Sequence, residues 1–235
     1  MAQGEQFGNE ANQVWTAEIG QDELRHEATA ARQAKFLLEV IATEIEPERL
    51  LQDYKSILVQ NEMRGVSHSG GLCALSLTHR PEADEPLYDG NNSQYSTQNN
   101  SLRDVQTHQK RFYERDFSLF NPKFEGTVFH EVYERMPFRI GRMQLNVISP
   151  LTVFRMHVDS TPTADLVVSA DPNCYMMSAD TGAYPLRADG NVYVFDTQQP
   201  HTAVNASTAE LVEVTFTLAD HEVDPAPRRE LVSSK

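Results

Sequence analysis

Two stretches decide how this chain folds: residues 151–160, LTVFRMHVDS, and residues 191–207, NVYVFDTQQPHTAVNAS. Side chains of an extended strand alternate between faces, so Arg155, His157 and Asp159 are expected on one face and Phe154, Met156 and Val158 on the other. Three polar groups on one face are costly in a dry core, so that face either meets water or performs chemistry. Around these stretches lie further short runs: RMQLNVI at 142–148, DLVVSA at 165–170, NCYMMSA at 173–179 and LVEVTFTL at 211–218. Their spacers, SP, TPT, DPN, DTGAYPLRADG and TQQP, are the Pro, Gly, Asp and Asn clusters that end strands. A succession of short strands predicts a mainly β core of sandwich or jelly-roll type.

Upstream, residues 21–58 read as helix. DELRHEATAARQAKFLLEVIATEI places Leu24, Ala28, Ala31, Phe36, Leu37 and Val40 at near-helical spacing, and Pro47 opens a second segment, PERLLQDYKSIL. A third, short helix is expected around TVFHEVYERM at 127–136. Residues 82–107 are rich in Asn, Gln, Ser and Asp with little periodicity, which predicts a long surface excursion. Two readings of it stand open, a loop that closes over a pocket and a merely solvated insertion. The expected organisation is an N-terminal helical extension over 1–68, a β core over 69–220 carrying that polar loop, and a mobile tail over 221–235.

Composition narrows the partners. With 235 residues, 40% of them hydrophobic and 23% charged, the chain can bury one sizeable core. A formal net charge of −14 opposes contact with a phosphate backbone, so a small-molecule substrate is expected, with no nucleic acid and no membrane partner; oligomeric state stays open. The start, MAQGEQFGNEANQ, lacks the basic and apolar regions of a signal peptide, which predicts a cytoplasmic protein. Cys73 and Cys174 are too few for a disulfide framework or a zinc knuckle, and no Gly-x-Ser-x-Gly elbow or phosphate-binding glycine loop occurs.

His201 lies just beyond the apolar strand NVYVF, after the turn TQQP, and a barrel can return it to His157 and Asp159. Two imidazoles and one carboxylate occupy one face of an octahedral ion and leave the opposite face open, the arrangement of non-haem Fe(II) oxygenases. Spacing alone leaves a second reading, in which His157 and Asp159 form a local hydrogen-bonded pair and His201 is an unrelated surface residue.

The surrounding sequence carries a resemblance. IGRMQLNVISP, with a Gly-Arg strand, MHVDS, with His-x-Asp, DPNCYMM, and ADGNVYVFDTQQPHTAVNAS succeed one another between Ile140 and Leu218. In order and approximate spacing they resemble the aspartyl/asparaginyl β-hydroxylase and cis-proline hydroxylase group of Fe(II)/2-oxoglutarate dioxygenases. The resemblance covers about a third of the chain and extends faintly to LSLTHRP and PLYDG upstream. It implies a double-stranded β-helix, cupin-like, with the N-terminal helices packed on it. It implies Fe(II) held by His157, Asp159 and His201, O2 as oxidant, 2-oxoglutarate as cosubstrate, and hydroxylation of an unactivated C–H of an amino acid or similar metabolite. Arg142, Tyr175 and Asn205 lie in matching blocks and are candidate substrate contacts. Arg142 reads equally as a structural ion pair, Tyr175 as core, and Asn205 as a turn residue bonding its own backbone.

The chain also departs from that group, whose members carry an arginine about ten positions after the distal histidine to clamp 2-oxoglutarate. Leu211 stands near that place, and residues 205–218 contain no Lys or Arg. A second basic and imidazole-bearing stretch is replaced by STPTADLVV, with Thr163 and Asp165 at the aligned positions. Arg155, chosen by strand parity, and Arg187 are the candidate replacements. Two further readings remain, an iron oxygenase that does not use 2-oxoglutarate and a cupin-like binding protein without turnover.

Overall fold

Valine, isoleucine, threonine and aromatic residues dominate the runs read above as strands, and pairing is what such residues favour. In the computed structural model, which describes residues 36–66, 70–91 and 112–222, they form two antiparallel sheets. Strand β1 (Leu37–Ala42) precedes helix α1 (Pro47–Gln60), strands β2 (Arg64–Gly65), β3 (Leu72–Ser76), β4 (Thr78–His79) and β5 (Leu119–Phe120), and helix α2 (Val128–Arg135). Eight strands complete the order: β6 (Ile140–Ile148), β7 (Thr152–Val153), β8 (Thr163–Ser169), β9 (Cys174–Ser178), β10 (Gly182–Pro185), β11 (Asn191–Phe195), β12 (His201–Asn205) and β13 (Leu211–Leu218).

The large sheet runs β1-β11-β8-β13-β6-β3-β2 and the small sheet β10-β9-β12-β7, with β4 and β5 a separate pair. From β6 onward the chain crosses repeatedly between the sheets, giving β11-β8-β13-β6 on one side and β10-β9-β12-β7 on the other. That order is a double-stranded β-helix, the jelly-roll architecture expected from the sequence.

Period-two alternation divides the large sheet's residues between two cores. On one face Met143, Leu145, Leu166, Val168, Val214 and Phe216 pack under the helices. Helix α1 supplies Leu50, Tyr54 and Ile57, and α2 supplies Val128, Phe129 and Val132. Each such burial stabilises by about 1.5–3 kcal/mol. The helices are tied to each other where Asp53 accepts the Val128 backbone N–H at 2.7 Å, serving one of α2's unpaired N-terminal donors. On the other face Ile148, Val167, Phe195 and Leu211 meet Cys174, Met176 and Ala203 of the small sheet. Both cysteines are free.

Four expectations are corrected. The helix expected to continue through 37–42 is a strand: β1 runs antiparallel to β11, with Val40 opposite Tyr193 and the Phe36 ring 5.2 Å from that of Phe195. The spacing of apolar residues there fits helix and strand alike, and pairing with the open edge of β11 decides between them. Thus β1 and α1 are built into the same core as the strands after residue 69, while the earlier part of the expected helix lies outside the described residues. The surface excursion holds only in part. Asp89 and Asn91 are buried, the first bonded to the Arg80 guanidinium and the second to the Ala74 carbonyl, and residues 92–111 lie outside the described residues. Residues 221–222 are not tail: the Glu222 side chain is fully buried and accepts the backbone N–H groups of Glu114 and Arg115, and residues 223–235 lie outside the described residues. Finally, LTVFRMHV is regular only at Thr152–Val153, and HTAVN is a strand the sequence reading did not mark.

Candidate metal centre

Strand β12 pairs with β7 in a register that sets Val204 opposite Val153 and Asn205 opposite Thr152. Continued regularly, that register would put Met156 opposite His201. Instead His157 and His201 face each other and exchange backbone hydrogen bonds of 3.0 and 2.9 Å. The chain between Phe154, whose N–H still reaches the Ala203 carbonyl, and His157 therefore holds one extra residue. Such a bulge reverses side-chain parity and re-aims the residues beyond it. It brings His157 onto His201, their ring centroids 4.3 Å apart.

The donor atoms converge. His157 Nε2 lies 3.7 Å from one carboxylate oxygen of Asp159, and His201 Nε2 lies 3.4 Å from the other. One donor atom from each of the three residues falls within 4.8 Å of the other two, the one such grouping of His, Cys, Asp or Glu among the described residues. Asp159 is fixed through its N–H, which donates to the Thr197 carbonyl at 2.9 Å. Each imidazole is oriented from behind. His157 Nδ1 donates to the Arg155 carbonyl at 2.9 Å, and His201 Nδ1 donates to the Gln199 carbonyl at 3.0 Å. A carbonyl can only accept, so both rings carry a proton on Nδ1, and Nε2 is left as the atom that faces Asp159.

Electrostatics matches the geometry. Burial alone would raise the Asp159 carboxyl, but the His201 hydrogen bond and the charges of His201, His157 and Arg142 outweigh it and hold it below the usual range. Burial would lower His201, and its bond to Asp159, with that carboxylate's charge, raises it instead. This is the attraction between a carboxylate and a proton held on an imidazole, and a divalent ion held by His157, Asp159 and His201 would take the place of that proton. The donor set fits Fe(II) or another borderline divalent metal.

The remaining sequence candidates are dispersed. Arg155 is exposed and lies within the bulge, so strand parity no longer joins it to His157. Arg187 is exposed in the β10–β11 connection. Arg142 lies on β6, where Glu114 holds it through two contacts of 2.9 and 3.3 Å, and it also donates to Gln144. Tyr175 is half-buried on β9, between the buried Cys174 and Met176, so by alternation it is on the opposite face of the strand. Asn205 is fully buried and holds a turn: its Nδ2 donates to the carbonyls of Ile148, Ser149 and Ala209, and its Oδ1 accepts from Ser207.

Two interior residues were noted in sequence only as replacements or not at all. Asp165 and Glu213 are both buried on the inner face of the large sheet. In LVEVTFTL the signal was present, since Glu213 is the one charged residue of a strand otherwise buried along nearly its whole length. Arg142 is the only Lys or Arg in strands β6–β13. These strands offer no second cation to clamp the distal carboxylate of 2-oxoglutarate, and their inner wall carries two acids.

Fold and site together define a cupin-like double-stranded β-helix with a two-histidine, one-carboxylate cluster that could hold a metal ion. No protein-family model matches the chain, and no curated protein matches it in sequence. Among solved structures, a prolyl-4-hydroxylase from Pseudomonas putida is similar at a TM-score of 0.44 and 12% identity, covering 84% of this chain and 99% of that one. A viral collagen prolyl hydroxylase from Paramecium Bursaria Chlorella virus-1 gives 0.41 and 10%, covering 76% and 93%. A cupin domain from Bordetella pertussis gives 0.30 and 15%, covering 36% and 86%. These likenesses are loose, and the assignment of the fold rests on the strand order.

Proposed function

We propose that the chain is a mononuclear non-haem Fe(II) oxygenase acting on a C–H bond of a small metabolite. The observation that carries this reading is the ligand triad itself: two imidazoles whose Nδ1–carbonyl bonds leave Nε2 to serve as the donor atom, converging on one carboxylate. Fe(II) held there supplies dioxygen activation at the face the three protein ligands leave open. The chain's own part is to orient the ligands through the Arg155 and Gln199 carbonyls, and to present the interior wall to the substrate.

The wall favours an oxygenase whose electrons come from its substrate or another reductant. The second reading, 2-oxoglutarate dependence, is what the sequence resemblance implies, and it requires Arg142 to leave Glu114 or another cation to enter. Anaerobic Fe(II) titration of the purified protein, with 2-oxoglutarate added afterwards, separates these readings. The expected result is one Fe(II) per chain and no visible charge-transfer band from a chelated cosubstrate. A band would establish 2-oxoglutarate dependence, and failure to take up iron would overturn the oxygenase in favour of a binding protein without turnover.

A further inference from the structure

Asp165 on β8 and Glu213 on β13 occupy diagonal positions on neighbouring strands: Asp165 is in register with Thr215, and Val167 with Glu213. Same-face diagonal neighbours lie within reach of each other's long side chains. Both acids are buried, at 0% and 4% exposure. Both oxygens of Asp165 and Oε2 of Glu213 make no hydrogen bond among the described residues. Neither does Oδ1 of Asn146, which stands opposite Glu213 on β6. The Thr215 hydroxyl interacts with both carboxyls and has one proton to give.

The result is a buried surface with four oxygens, Asp165 Oδ1 and Oδ2, Glu213 Oε2 and Asn146 Oδ1, that no described residue serves. Native structures pair almost all such groups, and a cluster left unpaired calls for a donor that the described residues do not supply. Arg142 is held by Glu114. The face of the large sheet that carries Asp165 and Glu213 packs on the small sheet, whose strand β12 begins at His201.

We propose that Asp165, Glu213 and Asn146 form the subsite for a positively charged group, the ammonium or guanidinium of a small-molecule substrate whose adjoining carbon is presented to the metal centre. This deepens the oxygenase reading and rests on it for the role of the metal. An ammonium brings three donors and a guanidinium five, with the charge to match two acids, whereas a dicarboxylate brings only acceptors.

The test is isothermal titration calorimetry on the full chain, with chelator and with anaerobic Fe(II), using n-butylamine with n-butanol and butyrate as shape-matched controls. The amine is expected to bind in preference to both controls. The double variant Asp165→Asn/Glu213→Gln should bind the amine about tenfold or more weakly, the loss typical of removing charge-assisted hydrogen bonds. His157→Ala should lose iron uptake and keep the amine. Equal binding of the three probes, no amine binding by the folded wild type, or unaltered amine binding by the double variant would overturn the subsite. If the double variant does not fold, the three-probe comparison in the wild type decides. Iron uptake without amine preference removes the subsite and keeps the metal centre, and amine preference without iron uptake does the reverse.

Discussion

Replacing Glu213 with Gln should make the protein more stable, and only above about pH 5. Burial pushes the Glu213 carboxyl from its ordinary 4.5 up to about 7, against a hydrogen bond from Thr215 that pulls it down. The groups facing it are Asp165 on β8, Asn146 on β6 and Cys174 on β9. Burial and then the charge of Glu213 raise Asp165 well above its usual range, and that same charge adds to the rise of the Cys174 thiol. Between pH 4.5 and 7 the native state therefore keeps a proton that the unfolded chain has released. A native state that binds more protons loses stability as pH rises, so this contribution is fully present below 4.5 and gone above 7. The interval corresponds to about 3 kcal/mol. Gln mimics the protonated acid and has no proton to lose. Urea unfolding of both proteins in chelator should therefore give near-equal stabilities at pH 4.5 and a variant about 3 kcal/mol more stable at pH 8. His201 and Asp159 titrate in both proteins, so their effects cancel in the difference. A difference that stays constant from pH 4.5 to 8, or that favours the wild type at high pH, would refute a buried ionisable acid on this wall.

The ligand triad predicts that His157→Ala, Asp159→Ala and His201→Ala each weaken Fe(II) or Co(II) binding by more than about 100-fold while circular dichroism stays unchanged, read by metal titration under anaerobic conditions. Because Arg155 lies within the bulge, Arg155→Ala should leave metal affinity within about twofold of wild type, its carbonyl still holding the His157 ring. Asn205→Ala should cost about 3 kcal/mol in urea unfolding, since it strands the buried carbonyls of Ile148, Ser149 and Ala209 and frees Ser207. An effect under about 1 kcal/mol would mean that water serves those carbonyls.

Alternation and turn chemistry made the barrel legible. RMQLNVI, DLVVSA, NCYMMSA, NVYVF and LVEVTFTL are each strands within a residue or two of where composition put them. What failed was decided by tertiary contact. Phe36, Leu37 and Val40 fit a helix by spacing, and only the open edge of β11 makes 37–42 a strand. The parity argument picked out His157 and Asp159 together, and the structure does converge them with His201. The same argument misplaced Arg155, because a bulge carries no signature in MHVDS and appears only when the register on β12 is known. Asn205 was legible as a turn residue, and its bonds to Ser207 and Ala209 make it one. Glu213 was visible as an isolated charge, but its meaning depends on Asp165 across the strand pair, a neighbour 48 positions away that sequence order does not reveal.

The metal centre and the wall beneath it obey the same electrostatic logic. Three ligands carrying one negative charge invite a divalent cation, and the next residues inward add two acids where an anion clamp would need arginine. A chain with a formal net charge of −14 gathers cations around it and repels dianions before any contact is made. On the reading proposed above, the diffuse field attracts a basic metabolite, and the Asp165 and Glu213 carboxyls, which burial pushes up, ionise as the cation enters.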